Sequence, residues 1–246
     1  MSKNTYSILP LSLSLLSYTT ENYNTPRRIS KAKPRTLPIR GKVDFRLRAC
    51  YNGRMENVIE TQRLILRGFS EKDAEKLFPF FADERTNRFL PFFPARTPGD
   101  AREIVRRFRK EDAEGIALHR AVCFAGEPVG YIHAGLDESR DLGYALRRDL
   151  WGRGLMTEAG TAFLDALRRG GFPYVTATHD VLNPASGAVM KKLGRTYRYS
   201  YREQWQPKNI SVVFRMYQLN FGEEDFTYNG YREKYAECWV EKADTT

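Results

Sequence analysis

Cysteine and histidine are both scarce in this chain. Cys50, Cys123 and Cys238 form no CxxC pair, and the three histidines do not cluster with them, so neither a disulfide framework nor a zinc site is expected. A reducing cytoplasm is the compartment that fits. Long apolar runs are also missing. No stretch approaches the roughly 20 residues that a membrane-spanning helix needs, so no membrane partner is expected. Internal repeats are absent, which removes solenoids and propellers.

What remains is the composition of a soluble globular protein: 246 residues, 41% hydrophobic, 13% aromatic and 28% charged. The net charge of +10 invites a nucleic-acid reading, but its distribution argues otherwise. Residues 1–54 hold 11 Lys/Arg against Glu21 and Asp44, so +9 of the +10 sits there. A basic arm of that kind suits an RNA- or ribosome-binding reading with salt-dependent affinity; the remainder is nearly neutral, and nucleic acid is not expected as a partner of the folded part.

The same 54 residues show no sustained periodicity and carry Pro10, Pro26, Pro34 and Pro38, a composition that does not build a core. The run from Leu9 to Leu16 resembles a short targeting segment, but Lys3 is its only preceding charge. The reading we favour takes 1–54 as a basic extension and Met55 as the start of the working polypeptide. A single domain over 55–221 and a helix or tail over the acidic, aromatic residues 222–246 complete the expected organisation.

From Met55 the punctuation is regular. Thr61 to Arg67 alternates as a strand, and Ser70-Glu71-Lys72-Asp73 reads as a capping box opening a helix to about Ala82. A second helix is expected from Pro98 or Gly99 to Glu111. Leu118–Phe124 and Val129–Leu136 around Ala125-Gly126-Glu127-Pro128 form a hairpin, and Asp141–Leu146 adds a strand. The pattern then becomes helix (Thr157–Arg169), strand (Tyr174–Thr178), helix (Pro184–Leu193), an α/β alternation that implies parallel strands. Thr196–Trp205 and Ile210–Leu219 read as a closing hairpin.

The most informative stretch runs from the 141–146 strand through Trp151-Gly152-Arg153-Gly154-Leu155-Met156 into a helix beginning near Thr157. Unpaired amides at a helix N-terminus, with the positive end of its dipole, make an anion site suited to a diphosphate. Gly152 and Gly154 let the backbone approach, and Arg153 offers a charge-assisted contact to a phosphate oxygen. Two glycines before a helix are equally compatible with a plain turn. At the next strand-to-helix crossing, Asn183 stands before Pro184, where it caps a helix.

These segments, in this order, resemble the GNAT superfamily of N-acetyltransferases and its RimJ/RimL-like branch. The likeness rests on Thr61-Gln62-Arg63-Leu64-Ile65-Leu66-Arg67, Gly130-Tyr131-Ile132, Leu142-Gly143-Tyr144, Leu150-Trp151-Gly152-Arg153-Gly154 and Thr157-Glu158-Ala159, and covers about residues 58–220. It implies an α/β fold with a mixed, mostly antiparallel sheet of about seven strands, a splayed parallel pair in the middle and about four flanking helices. It also implies acetyl-CoA as cosubstrate and no metal. Leu146, Trp151, Gly152, Arg153, Gly154, Leu155, Met156 and Thr157 would hold the cofactor, with Asn183 on the pantetheine arm and Ser186 near the thiol. The chain departs from the superfamily pattern at Trp151 and Met156, and Met190 stands where many members carry a tyrosine acid. Ser186 is therefore the candidate acid. Asp141, His133 and His179 are candidate bases, while Glu158 is expected to be structural.

The acceptor expected from the resemblance is a primary amine, with a protein N-terminus first and an aminoglycoside or polyamine-type small molecule second; a CoA-binding module without catalysis is a further reading. Phe89–Pro94 and Tyr197–Tyr201 are expected to flank the acceptor cleft, and no carboxylate cluster stands out beside them. A homodimer is the assembly considered for it, and the sequence does not fix the oligomeric state.

Overall fold

The computed structural model describes residues 57–242. The expectations for residues 1–54, for a start at Met55 and for Cys50 lie outside them. Nine strands and six helices are present among the described residues: β1 (Val58–Glu60), β2 (Leu64–Arg67), α1 (Asp73–Ala82), α2 (Glu84–Asn87), α3 (Pro98–Ala113), β3 (Ala117–Phe124), β4 (Glu127–Gly135), β5 (Leu142–Leu146), α4 (Leu155–Arg169), β6 (Tyr174–Asp180), α5 (Pro184–Lys192), β7 (Thr196–Trp205), β8 (Ile210–Asn220), α6 (Gly230–Lys234) and β9 (Cys238–Trp239). They build two antiparallel sheets, ordered β1-β2-β3-β4-β5 and β6-β8-β7-β9.

Among the described residues one parallel bridge joins the sheets, from Asp141, at the start of β5, to Thr176, early in β6. The expected parallel pair is thus reduced to one bridge. The additional strands and helices are short pieces at the chain's edges. No helix among the described residues is long and apolar enough to cross a membrane.

Local chemistry explains the boundaries. Thr97 and Asp100 form the reciprocal capping box of α3, with Pro98 at its first position. Ala125 and Gly126 both have positive φ, the conformation of a two-residue hairpin turn, so Glu127 and Pro128 belong to β4. The expected strand over 61–67 is broken instead. The Thr61 amide donates to the Leu64 carbonyl and the Leu64 amide donates to Thr61 Oγ1, making a turn that folds β1 back on β2. At α1 the expected Ser70 hydroxyl cap is not formed: the Asp73 carboxylate accepts the Ser70 amide at 2.7 Å and a forked pair from Arg67 at 2.8 Å.

The first sheet is covered on both faces, which is why β3 is buried along nearly its whole length. Leu66, Val122, Ile132, Phe163 and Leu167 form the core beneath α4. Leu77, Phe81, Phe108, Ala121 and Tyr131 form the other beneath α1 and α3. Burying a side chain such as Phe163 contributes about 2–3 kcal/mol.

The C-terminal residues are not a loose tail. β9 pairs with β7 through Ser200↔Trp239 and Tyr201↔Cys238, and the Glu241 carboxylate receives Ser200 Oγ at 2.6 Å and Arg215 Nε at 2.8 Å. The Arg215 hydrogen bond holds the Glu241 carboxyl below its ordinary value. Its contribution is therefore present above the ordinary glutamate range and lost as pH falls through the lowered value. Glu241→Ala is expected to cost about 1 kcal/mol, or about 2–4 °C in Tm, and to raise amide exchange at Cys238 and Trp239 without altering the first sheet. Unchanged exchange at those amides would show that β9 is held by other contacts.

Candidate active site

Beyond the Asp141–Thr176 bridge, β5 and β6 part company. β5 keeps β4 as its partner and β6 keeps β8, so their facing edges run without a ladder between them. A cavity of about 910 Å³ occupies the gap, running from the loop before α4 past the start of α5 to β7 and α6. Tyr144, on β5, spans it. Its hydroxyl lies 2.9 Å from the Ser186 carbonyl and 3.0 Å from Ser186 Oγ, at the first turn of α5.

At one end of the cavity lies the 151–154 loop. Gly152 and Gly154 have φ of +72° and +75°, the left-handed region that favours glycine, and a Cβ on Gly152 would project into open space. The first helical bond of α4 is Glu158 N–H to Gly154 O, which leaves the amides of residues 154–157 without partners inside the helix. Trp151 fastens the loop to the end of β5 by donating its indole N–H to the Leu146 carbonyl at 2.6 Å. Leu155 and Met156 are buried in the main core, so the larger residue at 156 is accommodated by packing.

Arg153 differs from its expected role. Its guanidinium stacks over Phe124, 5.3 Å from the ring centroid, and the side chain does not line the cavity, so no phosphate contact by that side chain is supported. Its carbonyl instead accepts Arg63 Nη1 at 3.0 Å. Glu158 completes the brace, receiving Thr61 Oγ1 at 2.6 Å, the Arg63 amide at 2.8 Å and Arg63 Nε at 2.6 Å. Burial pushes the Glu158 carboxyl up, but these donors outweigh it and hold it low. Glu158 is structural, as its place after the loop implied.

Asn183 caps α5, its side-chain oxygen accepting the Ser186 amide at 3.3 Å, and it also lines the cavity. His179 lies beneath α5, with Nδ1 2.8 Å from the Asp180 carbonyl. That contact assigns the proton to Nδ1, and burial depresses the ring's pKa. A Cβ on Gly187 would lie 2.7 Å from His179 Nε2, so helix and ring are in close packing. Met190 is 1% exposed and packs against Tyr144, Tyr197 and Tyr217 rather than offering a proton.

The far end of the cavity has a different character. Asp137, Asp141, Glu203, Tyr201, Tyr231 and Tyr235 converge there. Asp141 is partly buried and lines the cavity, and its buried Oδ1 has no hydrogen-bond partner. Burial, reinforced by Asp137 and Glu203 and opposed by Arg195, raises its pKa to about 7. His133 lines the same end with its pKa lowered to about 3, by burial and then by the charges of His119 and Arg107. Burial also raises Tyr144, partly countered by its bond to Ser186.

Of the two aromatic stretches, Phe89 and Tyr201 line the cavity. Phe92 packs under α1 and α3, Phe93 is exposed, and the Tyr199 hydroxyl donates to the Tyr228 carbonyl at 2.8 Å. The expectation that no carboxylates gather near the acceptor loops is corrected: Asp137, Asp141 and Glu203 come together through pairings between distant strands. Tyr144 was also missed as a functional side chain, although it stands in the Leu142-Gly143-Tyr144 segment. The signal available was the tyrosine lacking at 190.

The sequence model described as "Acetyltransferase (GNAT) domain" matches residues 63–196. The uncharacterized N-acetyltransferase YnaD of Bacillus subtilis is 27% identical over 139 residues, which span 55% of this chain and 81% of that protein. Among solved structures, the ribosomal L7/L12 alpha-N-protein acetyltransferase RimL in complex with coenzyme A superposes with a TM-score of 0.59 at 19% identity, over 66% of this chain and 97% of that one. The microcin C7 self-immunity acetyltransferase MccE, in complex with acetyl-CoA and AMP, gives 0.60 at 17% identity, over 65% and 93%. At these identities the likeness carries the fold.

One close approach on the cavity wall is open to test. A Cβ on Gly143 would stand 2.2 Å from His133 Cε1 across the β4–β5 pair. Gly143→Ala is expected to destabilise the protein by about 1–3 kcal/mol through overpacking. In a double-mutant cycle with His133→Ala, measured by urea unfolding, the two changes should be non-additive by more than about 0.5 kcal/mol in the compensating direction. Additive losses would refute the contact.

Proposed function

The chain belongs to the acetyltransferase (GNAT) family, and we propose that it moves the acetyl group of acetyl-CoA onto a primary amine by direct attack within a ternary complex. The observation that carries this reading is the continuity of one cavity from a helix N-terminus, through the parted strands, to an enclosed carboxylate. The residues fit the cosubstrate: the unpaired amides of 154–157 and the glycine cradle suit a diphosphate, and Asn183 with the open strand edges suits the amide groups of a pantetheine arm. Leu146, Trp151, Gly152, Leu155, Met156 and Thr157 form its surroundings, with Arg153 contributing through its backbone alone. When bound, acetyl-CoA supplies the activated acetyl group.

Asp141 is the general base. It lines the cavity, and its raised pKa near 7 lets it take the proton of the attacking amine at neutral pH. His133, neutral and far less basic, and His179, packed under α5, serve the walls instead. As the C–N bond forms and the C–S bond breaks, the Tyr144 hydroxyl donates a proton to the departing sulfur, with Ser186 Oγ orienting it. Likeness near 20% identity does not identify the amine.

Three outcomes are expected. kcat/KM rises with pH up to about 7 as Asp141 ionises and then levels; Asp141→Asn lowers it about 10²–10⁴-fold and removes that limb. Because the folded carboxyl is raised above its unfolded value, Asp141→Asn also stabilises the fold by an amount that grows from about pH 4 to pH 7 and is constant above, read as Tm. An unaltered pH profile in Asp141→Asn would rule this base out. Gly154→Asp, an αL position that aspartate tolerates, retains native circular dichroism but loses acetyl-CoA binding in calorimetry. Retained affinity would refute the diphosphate site. Binding without acetylation of any amine in a broad panel would mark a CoA-binding module instead.

A further inference from the structure

The acceptor chamber is unusual in its ownership. The family match ends at residue 196, yet much of this chamber's wall comes later: Tyr201 and Glu203 from β7, and Tyr228, Tyr231 and Tyr235 from the C-terminal segment. Tyr201 is sandwiched between Tyr231 and Tyr235, with ring centroids 5.0 Å and 4.9 Å away and planes within 12° and 8° of parallel. This stack, buried at Tyr201, fixes α6 against β7 and gives the chamber a rigid aromatic side.

Three carboxylates share that space. Asp141 and Asp137 stand at the start of β5 and in the turn before it, and Glu203 stands on β7 beside the Tyr235 hydroxyl. They repel one another: Asp137 and Glu203 both oppose ionisation of Asp141, and Asp141 opposes ionisation of Tyr201 and Tyr231. The protein's own cations answer them incompletely. Lys234, exposed on α6, lines the chamber and favours ionisation of Glu203 alone, and Arg195, buried, favours ionisation of Asp141 with no hydrogen bond to any of the three. Asp141 Oδ1, enclosed and bonded to nothing, shows that the acidic cluster is not satisfied internally. The tyrosine rings suit a cation as well: Lys234 Nζ already stands 4.9 Å from the centroid of Tyr235.

One ammonium nitrogen, placed to react at Asp141, does not account for Glu203, Asp137 and the stack. We infer that the acceptor is a small aliphatic amine bearing a second cationic group, the reacting nitrogen directed to Asp141 and the second charge held by Glu203 and Asp137 against the tyrosines. The cavity of about 910 Å³ also receives the cofactor's arm, and the space left at the chamber end suits a small molecule. This rests on the acetyltransferase reading and adds the substrate class to it.

The test compares 1,4-diaminobutane with 1-aminobutane, equal in chain length and different by one ammonium, at saturating acetyl-CoA with release of CoA as the readout. The diamine is expected to exceed the monoamine in kcat/KM at least 10-fold. Glu203→Gln should bring that ratio down to about 3-fold or less, while acetyl-CoA affinity measured by calorimetry stays within about 2-fold of the parent. Glu237→Gln, an exposed carboxylate paired with Arg202 outside the chamber, should keep the parent ratio. Equal use of the two amines by the parent protein, a ratio untouched by Glu203→Gln, or preference for a serine-initiated peptide over the diamine would each overturn the inference. Failure to bind acetyl-CoA, or binding with no amine acetylated, counts against the acetyltransferase reading itself and is thereby distinguishable.

Discussion

The separation of β5 from β6 after one bridge is the constraint on which the rest of the structure depends. A sheet that continued would pair every edge amide and carbonyl and leave no room for a ligand. Among the described residues the strands are bridged at Asp141 and Thr176, where Thr176 also donates to the Arg140 and Ser139 carbonyls, and each then follows its own sheet. The opening must be held, because nothing in two separate antiparallel sheets prevents their sliding together. α5 acts as the wedge, capped by Asn183 and tied across the gap by the Tyr144–Ser186 contact. The same contact holds a hydroxyl in the middle of the cavity. On the proposed mechanism, structural support and chemistry use one pair of side chains.

The two ends of the opening differ in electrostatics, and each follows from how it is built. The loop before α4 presents backbone amides and the positive end of a helix, with no fixed carboxylate lining it, because Glu158 is turned away and consumed by Thr61 and Arg63. The β7 and α6 end presents carboxylates under partial desolvation. Asp141 is the point where these fields meet. Enclosure raises its pKa, like charges raise it further, and Arg195 keeps it from rising out of the neutral range. A carboxylate poised near neutrality is a consequence of that balance, not of Asp141 alone.

What the sequence disclosed and what it concealed divide along sequence distance. Gly152, Gly154 and the α4 start were legible because their geometry is local, a positive-φ loop opening a helix. Asn183 and Pro184 were legible as a cap for the same reason. The break at Thr61 was not, since alternation over 61–67 satisfies a strand, and only the Thr61–Leu64 turn distinguishes two short strands from one. The placement of the Arg153 side chain was not legible, because residue type names a charge but not its rotamer, and here the guanidinium lies over Phe124 at the end of β3. The chamber carboxylates were hidden most deeply. Asp137 and Glu203 are far apart in the chain and meet only once β7 joins the second sheet and residues 228–239 fold back on it.

That division has a physical meaning for the two halves of the site. The cofactor half is assembled mainly from backbone, at glycines, a helix end and unpaired strand edges, so a chain adopting this fold acquires it as a by-product of topology. Trp151 and Met156 can therefore depart from the common residues without removing the cradle. The acceptor half is assembled from side chains on β7 and the C-terminal segment, and a single exchange there alters its charge while the sheets persist. The brace from Arg63 and Thr61 to Glu158 and the clamp from Arg215 and Ser200 to Glu241 support the two halves independently, one at each end of the opening. Fold and cofactor use are accordingly carried by local motifs, whereas the choice of acceptor, on the proposed reading, is carried by long-range convergence around Asp141.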